Sequence, residues 1–120
     1  MDIWSVACLI AELYLGRPLF QTHENLEHLA LMQEVLGPIP SKIIEYTDPD
    51  IVRKYFYSDN TLRWPEDATD VASMQFVAET LSLKEQILDE DLASLLSSML
   101  HYDPEKRISA KVALAHKFFN

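Results

Sequence analysis

The segment IWSVACLIAELYL, residues 3–15, predicts one helix, and this helix decides how the rest of the fold is interpreted. Asp2 is a good N-cap, because its carboxylate accepts hydrogen bonds from backbone amides two or three residues further on. Gly16 stands where such a helix ends. Within the helix only Ser5 and Glu12 are polar, and their spacing places them on one narrow strip. An otherwise apolar helix is typical of the centre of a larger body.

The composition around this helix is that of an ordinary globular protein. Hydrophobic residues make up 48% of the 120 residues, and charged residues make up 24%. The net charge is −9, so we expect no direct nucleic-acid binding, which needs Lys and Arg gathered on one face. Cys8 is the single cysteine, so we expect an intracellular protein, nuclear or cytoplasmic. The apolar opening is too short to span a bilayer, so no membrane partner is expected.

A second helix is predicted within THENLEHLALMQEVLGPIP, residues 22–40. Leucines and methionine recur there at helical spacing. Either Thr22 or Asn25 is suited to cap the start of this helix, because both side chains carry an acceptor oxygen. Gly37 ends it, and the prolines that follow prevent a restart nearby.

The middle of the chain gives weaker signals. Residues 41–46 predict a short helix that is closed by Asp48 and Pro49. KYFYSDNTLRW, residues 54–64, predicts two short extended pieces around the turn SDN. SMQFVAETLSLKEQIL, residues 73–88, is compatible with a helix or with irregular structure, and its periodicity does not decide between them.

The last third predicts two more helices. Ser109 is suited to cap the final helix, which we expect to end near Phe118 and Phe119. The fold class is therefore mainly α, with one small hairpin or irregular insert. The helix that precedes the final one has a single apolar stripe, which consists of Leu92, Leu95, Leu96, Met99 and Leu100.

Three segments of the sequence resemble a known family. DIWSVACLIAEL, residues 2–13, resembles the D-x-W-S-x-G-C helix in the C-terminal lobe of eukaryotic protein kinases. MLHYDPEKRISAKVALAHKFF, residues 99–119, is similar to the closing segment of that lobe. ENLEHLALMQEVLGPIP, residues 24–40, resembles the E-H-L-A-M-M-E-R-I-L-G-P-I-P signature of LAMMER, or CDC-like, kinases of the CMGC group. The resemblance implies that residues 1–120 are a partial kinase domain, running from the central helix of the C-lobe to the domain end.

The signature is matched only in part. Gln33 departs from it, and Glu34 stands where the family has Arg, which reverses a charge. Ala7 replaces the usual Gly of the first helix, which restricts how closely a neighbour can approach. The matching signature positions are Glu27, His28, Leu29, Ala30 and Met32.

The motifs that carry phosphoryl transfer do not occur in these 120 residues. There is no Gly-rich loop, no V-A-I-K lysine, and no H-R-D, D-F-G or A-P-E motif. The resemblance therefore implies that ATP and magnesium serve the parent kinase, whereas this chain binds no cofactor and contributes no catalytic residue. His23 and His28 lack the i, i+4 spacing of a metal-binding pair, so no metal ligands are predicted.

The resemblance implies supporting roles for five residues. Asp2 matches the residue that holds the catalytic loop, although it is also explained as an N-cap alone. Leu9 and Leu13 match the anchors of the hydrophobic spines, or are ordinary core leucines. Arg107 matches the partner of the A-P-E glutamate, or is a surface arginine that is solvated or paired with a local acid. Glu12 is suited to face basic substrates, or to stabilise the helix or pair in the core.

Three functional hypotheses follow. The resemblance implies a protein serine/threonine kinase, with possible dual specificity, that phosphorylates protein substrates such as arginine/serine-rich splicing factors; this chain alone should be inactive. The alternative is a non-catalytic interaction module or decoy, because exposed apolar surface can bind another protein, including an intact kinase. A third hypothesis is an autonomous helical domain that shares only ancestry with kinases.

Overall fold

The structure, a computed structural model, describes residues 2–22 and 24–120. Within these residues the chain forms eight helices, which confirms the predicted mainly α class, and one isolated antiparallel bridge stands where a small hairpin or irregular insert was predicted. The helices are α1 (Ile3–Leu15), α2 (Asn25–Leu36), α3 (Ser41–Glu45), α4 (Pro49–Tyr55), α5 (Val71–Ala78), α6 (Leu83–Gln86), α7 (Glu90–Met99) and α8 (Ala110–Leu114).

The chain divides into two compact units. The first unit joins residues 2–21 to residues 81–120, and it contains α1, α6, α7 and α8. Within it, α1 and α6 each pack on α7. The second unit consists of residues 22 and 24–80, and within it α2 packs on α5.

The α1 helix has the boundaries that the sequence predicts. The Asp2 carboxylate accepts a hydrogen bond from the Trp4 amide at 3.0 Å. At the other end Gly16 adopts φ 76°, and its amide donates to the Glu12 carbonyl at 2.8 Å. Glycine takes this left-handed conformation without the steric cost that a side chain brings, so it ends the helix here.

The α7 helix supplies the core of the first unit. Asp89 caps it by accepting a hydrogen bond from the Leu92 amide at 3.0 Å. The serines Ser94 and Ser97 are exposed on the opposite side. The predicted apolar stripe is buried, because its members recur with the helical period on one face. The buried residues of α7 are Leu92, Ala93, Leu95, Leu96 and Met99.

The predicted cap of α2 is wrong. Glu24, rather than Thr22 or Asn25, caps this helix by accepting hydrogen bonds from the two amides of Leu26 and Glu27, at 3.0 and 2.7 Å. The Glu24 side chain is long enough to fold back over both amides. The Thr22 hydroxyl instead accepts from the Glu24 amide at 3.2 Å, so it holds the turn before the helix.

The α4 helix was not predicted. Asp48 and Pro49 open this helix instead of closing the previous segment, since the Asp48 carboxylate accepts from the Asp50 amide at 2.9 Å. Proline suits the first helical position because it has no backbone N–H, and an N–H at this position would have no hydrogen-bond partner within the helix. The small hairpin that follows is reduced to one antiparallel bridge between Phe56 and Leu62.

Residues 73–88, which the sequence left undecided, contribute to two short helices. The Asp70 carboxylate caps α5 by accepting from the Ser73 amide at 2.7 Å. Ser82 and Glu85 form a reciprocal capping box at the start of α6. Each helix therefore begins at a side chain that competes for the backbone amides, which breaks the segment in two.

The final helix is shorter than predicted. Ser109 caps α8 as expected, because its hydroxyl accepts from the Val112 amide at 3.2 Å. The helix ends at Leu114, well before Phe118. There the Phe118 amide donates to Nδ1 of His116 at 3.0 Å, so a side chain takes the hydrogen bond that a continued helix would have used.

Candidate functional site

The Asp2 carboxylate is already organised at the start of α1. One oxygen accepts from the Trp4 amide at 3.0 Å, and the other accepts from the Ser5 hydroxyl at 2.7 Å. The Ser5 hydrogen bond is the main cause that lowers the pKa of Asp2, and the charge of Arg107 lowers it further. The exposed carboxylate is therefore ionised at neutral pH, and each oxygen has the capacity to accept a second hydrogen bond from a neighbouring backbone.

Arg107 lies against the same end of α1. Its Nε donates to the His101 carbonyl at 3.0 Å, and its guanidinium lies over the Trp4 ring, 5.2 Å from the ring centroid. Trp4 in turn stacks on Phe20, with ring centroids 6.3 Å apart and ring planes 12° from parallel. Tyr102 also contacts Trp4, with ring centroids 6.4 Å apart, and burial raises the pKa of its phenol, so the phenol stays neutral. We call Trp4, Phe20, Tyr102 and Arg107 the aromatic–arginine cluster.

This cluster bears on the two hypotheses for Arg107. The side chain is half-buried and stacked, with the Asp2 charge near enough to act on it, so it is not a simple solvated surface arginine. The residue that the resemblance assigns as its partner belongs to an A-P-E motif, which these 120 residues do not contain. The ion pair of Arg107 with that glutamate stays a prediction.

Leu9 and Leu13 are exposed. Their relative exposures are 55% and 76%, and their i, i+4 spacing places them on one side of α1. We call these two residues the open flank. Another side of the helix carries Ala7 and Ala11, which are both 0% exposed. The described residues therefore cover one side of α1 completely and leave the open flank in water, and the spine-anchor role of Leu9 and Leu13 stays a prediction.

Glu12 is exposed on α1. The alternative in which this carboxylate pairs within the core is therefore wrong, because a core-paired side chain would be buried. Ser5, the other residue of the predicted polar strip, donates its hydroxyl hydrogen bond to the Asp2 carboxylate. A role for Glu12 toward basic substrates stays a prediction.

The family signature lies on α2, and part of it packs in the second unit. A carboxylate oxygen of Glu27 accepts a hydrogen bond from the hydroxyl of Ser73 at 2.6 Å, which ties α2 to α5. Ala30 and Leu31 are buried, whereas Glu34 is exposed, so the reversed charge lies on the surface. The remaining signature positions are His28, which is exposed, and Leu29, Met32 and Gln33, which are half-buried.

The first unit also places the hydroxyl of Ser94 beside the imidazole of His116. The Ser94 hydroxyl lies 3.1 Å from Nε2 of His116. However, Nδ1 of His116 accepts from the Phe118 amide, so the ring proton belongs on Nε2. An imidazole that carries its proton on the nitrogen facing the serine cannot act as a base toward that serine.

Known proteins match the sequence over its length. The family described as "Protein kinase domain" matches residues 1–119. The chain belongs to the protein kinase family. Its similarity to individual kinases confirms the LAMMER, or CDC-like, type that the signature on α2 indicates.

Relatives of this kinase chain are found in plants and animals. "Serine/threonine-protein kinase AFC1" of Arabidopsis thaliana is 44% identical, and the alignment covers 98% of this chain and 26% of AFC1. "Dual specificity protein kinase CLK1" of Homo sapiens is 41% identical, covering 99% of this chain and 24% of CLK1. A crystal structure of a kinase domain is 38% identical with a TM-score of 0.92, covering 99% of this chain and 35% of that one. The chain spans about a quarter of the length of the curated relatives it matches.

Neither glycine of this kinase chain lies in a loop of the kind that covers ATP phosphates. Gly16 and Gly37 both follow helices, at φ 76° and 93°, so neither belongs to a loop that covers phosphates. Within residues 2–22 and 24–120, no three His, Cys, Asp or Glu side chains are grouped to hold a metal ion. His23 lies outside the described residues.

No helix in the described ranges is long and apolar enough to cross a membrane.

Sequence reasoning missed two contacts of this site. No functional role was predicted for Trp4, although its ring supports the Arg107 guanidinium from the far end of the chain. Ser73 carried no prediction, although its hydroxyl binds Glu27. Both contacts join residues that are distant in sequence, so neither leaves a local pattern that helical periodicity or capping rules could reveal.

Proposed function

We propose that this chain is the C-terminal-lobe segment of a LAMMER-type protein serine/threonine kinase, with tyrosine as a further acceptor. The whole kinase transfers the γ-phosphate of ATP to protein substrates, and arginine/serine-rich splicing factors in the nucleus are the expected class. The observation that carries the proposal is the aromatic–arginine cluster, which holds Arg107 at the start of α1 in a chain of the kinase family.

In this proposal Arg107 locks the activation segment to the lobe. A guanidinium forms two parallel hydrogen bonds with a carboxylate, which fixes the orientation of both groups. Trp4 and the His101 carbonyl already hold the Arg107 side chain, so little rotational freedom is lost when the carboxylate binds. Asp2 acts beside it by accepting hydrogen bonds from the catalytic-loop backbone, which keeps the loop rigid enough to aim its base.

The open flank supplies the support for the catalytic elements. Burying an exposed leucine side chain contributes roughly 1.5–3 kcal/mol of favourable free energy. Covering Leu9 and Leu13 therefore stabilises the contact between α1 and the elements that pack on it. In the proposed kinase the spines and the catalytic loop pack on this flank. This chain therefore contributes positioning, whereas the groups that bind ATP and magnesium come from other parts of the kinase.

The expected substrate class comes from the resemblance to LAMMER kinases, and the charge of the chain is compatible with it. The chain has a net charge of −9, and Glu12 presents an exposed carboxylate on α1. A negative surface attracts arginine-rich segments and speeds their encounter with the enzyme. We propose that Glu12 contacts basic side chains of the substrate.

A chimera tests the proposal. Residues 1–120 replace the matching segment of human CLK1, and phosphate transfer from labelled ATP to an arginine/serine-rich peptide is measured. We expect the chimera to phosphorylate the peptide and the isolated 120-residue chain to remain at background. Transfer by the isolated chain, or a folded chimera without activity, would contradict the proposal.

Substitutions in the chimera test the role of Arg107. Arg107→Ala removes the guanidinium and its two parallel hydrogen bonds to the carboxylate. We expect kcat/KM to fall by about tenfold or more, because the activation segment is then misplaced. Arg107→Lys should recover only part of the activity, because a lysine cannot form the bidentate pair. Arg53→Ala is the matched control, since Arg53 is an exposed arginine that pairs with Asp50 on its own helix.

A second candidate function is the non-catalytic module. The exposure of Leu9 and Leu13 favours it as well, because an apolar flank in water can bind an intact kinase as a decoy. Under this hypothesis, adding the isolated chain lowers the rate of full-length CLK1 in a concentration-dependent manner. Leu9→Ser/Leu13→Ser should then abolish the inhibition, and an unchanged rate at all concentrations would eliminate the decoy.

A further inference from the structure

The α5 helix in the second unit buries only a small part of its surface. It packs on α2 through Ser73 and Val77, and the Ser73 hydroxyl fixes the contact by its bond to Glu27. Val71 is 75% exposed and Phe76 is 44% exposed, and Met74 is exposed as well. Large apolar side chains therefore remain in water along a helix that is otherwise firmly attached.

The exposed apolar residues of α5 lie on both sides of one polar position. A turn of 3.6 residues places Val71, Met74 and Ala78 on one side of the helix and Phe76 on the other, with Gln75 between them. The Gln75 amide donates to the Glu79 carboxylate at 3.1 Å, so the single polar side chain between the two apolar sides is already paired. We call Val71, Met74 and Phe76 the α5 surface.

The charge around the α5 surface is negative. The segment from Pro65 to Thr80 contains no Lys or Arg. Asp70 caps the start of α5, and Glu79 stands at its end, so one carboxylate lies at each end of the apolar surface. The acidic residues of this segment, all exposed, are Glu66, Asp67, Asp70 and Glu79.

The nearest basic residue in sequence does not cancel this charge at α5. The Arg63 guanidinium is stacked over the Tyr57 ring, 4.7 Å from its centroid, before the acidic segment begins. Desolvation is the main cause that raises the pKa of Tyr57, and the charges of Glu66 and Asp67 raise it further. These carboxylates therefore act on the Tyr57 phenol even though Arg63 lies beside it. The surface that α5 presents is therefore apolar, aromatic and bounded by carboxylates.

We propose that the α5 surface docks a basic amphipathic segment of a partner protein. Apolar side chains of that segment pack on Val71, Met74 and Phe76, and its Lys and Arg side chains pair with the carboxylates at the two ends of α5. The carboxylates disfavour nucleic acid and anionic membranes. They also disfavour a second copy of this chain, because equal charges would face each other. The inference does not depend on the proposed kinase role, since α5 carries none of the residues assigned to it.

A binding titration with the full chain tests this proposal. The probe is a fluorescein-labelled peptide with Leu and Lys at helical spacing, and its anisotropy is followed as the chain is added. One comparison peptide has Glu in place of every Lys, and another has Ser in place of every Leu. We expect the Leu/Lys peptide to bind at least about tenfold more tightly than either comparison peptide, with an affinity that falls as salt screens the carboxylates.

Variants of the chain assign the binding to α5. Met74→Ser/Phe76→Ser should weaken binding of the Leu/Lys peptide by about tenfold or more. Asp70→Asn/Glu79→Gln should weaken it by about threefold and reduce its salt dependence; asparagine also caps helices, so α5 is retained. Ile51→Ser is the matched control, because Ile51 is an exposed apolar residue of the same unit outside α5, and its loss should leave affinity unchanged.

Several outcomes would overturn the proposal. Unchanged affinity in the α5 variants would contradict it, and so would equal binding of the comparison peptide that has Glu in place of every Lys. Loss of binding in Leu9→Ser/Leu13→Ser but not in the α5 variants would place the peptide on α1 instead. Self-association abolished by Met74→Ser/Phe76→Ser in sedimentation would assign the surface to a second copy. If those variants lose helicity, hydrogen exchange on the wild-type chain decides, because the Leu/Lys peptide must slow exchange of α5 amides to support the proposal.

Discussion

The α1 and α7 helices pack on each other within the first unit, yet they bury their apolar residues to very different extents. In α7 the leucines and Met99 all lie on one buried stripe, and serines face the water. In α1 the sequence is more apolar, but only Ala7 and Ala11 are buried. The small side chains of these alanines line the covered side of α1, and larger ones such as Leu9 and Leu13 remain exposed.

The comparison shows that the number of apolar faces sets how many neighbours a helix needs. A helix with one apolar stripe needs neighbours on one side only, and α1 and α6 supply them for α7 in this unit. A helix that is apolar on nearly every side needs neighbours all around it. The described residues supply those neighbours on one side of α1 only, so our account assigns the remaining cover to other parts of the proposed kinase.

The largest effect is expected at the centre of α7. Leu96 is 0% exposed, so Leu96→Ala removes packed atoms and leaves a cavity. We expect the free energy of unfolding to fall by about 2–5 kcal/mol. Urea unfolding followed by circular dichroism measures the change, and a loss below about 1 kcal/mol would show that α7 is not the core of its unit.

An intermediate effect is expected at the covered end of α1. Trp4→Leu removes the stack on Phe20 and the cation–π contact with Arg107, for a combined loss of about 1–2 kcal/mol in unfolding free energy. A double-mutant cycle with Arg107→Gln isolates the second contact, and we expect a coupling of about 0.5–1 kcal/mol. Zero coupling would mean that Trp4 does not hold the guanidinium in solution.

A small effect is expected on the open flank. Leu13→Ala changes a side chain that is largely in water, so the unfolding free energy should stay within about 0.5 kcal/mol of the wild type in the isolated chain. The same urea experiment as for Leu96→Ala provides the comparison. If Leu13→Ala were as costly as Leu96→Ala, the contrast between α1 and α7 would be lost.

The smallest effect is expected in the pH dependence of the α1 cap. Hydrogen bonds lower the pKa of Asp2 below its ordinary value of 3.8, so the folded state favours the ionised carboxylate. This contribution is present above pH 3.8 and is lost as the pH falls through the lowered pKa. The difference in urea midpoint between wild type and Asp2→Asn should therefore shrink as the pH is lowered below 4. A difference that grows on acidification would contradict the sign of the shift.

Local signals explain which parts of the fold the sequence predicted. The boundaries of α1 follow from Asp2 and Gly16, and the α7 stripe follows from helical periodicity. The α4 helix was missed because an Asp-Pro pair serves equally as the end of one segment and the start of another. The Glu24 cap was missed because glutamate is not among the residues that ordinarily cap a helix start.

The site was predictable only where its contacts are local. The capping role of Asp2 is a contact with the next few residues, so sequence spacing was enough. The stack of Arg107 on Trp4 joins the two ends of the chain, and no periodic pattern encodes it. The exposure of Leu9 and Leu13 likewise depends on which neighbours the folded chain provides, and the apolar letters alone do not distinguish a covered face from an open one.

Labelling of a cysteine on the open flank reports whether the complete kinase covers this side of α1. Leu13→Cys is placed in a Cys8→Ala background, in the isolated chain and in the active CLK1 chimera, and its rate of reaction with a maleimide is measured. Our account predicts rapid labelling in the isolated chain, where Leu13 is exposed, and labelling at least about tenfold slower in the chimera, where reaction requires local opening. Equal rates in the two proteins would show that the complete kinase leaves this flank uncovered, which would contradict the account.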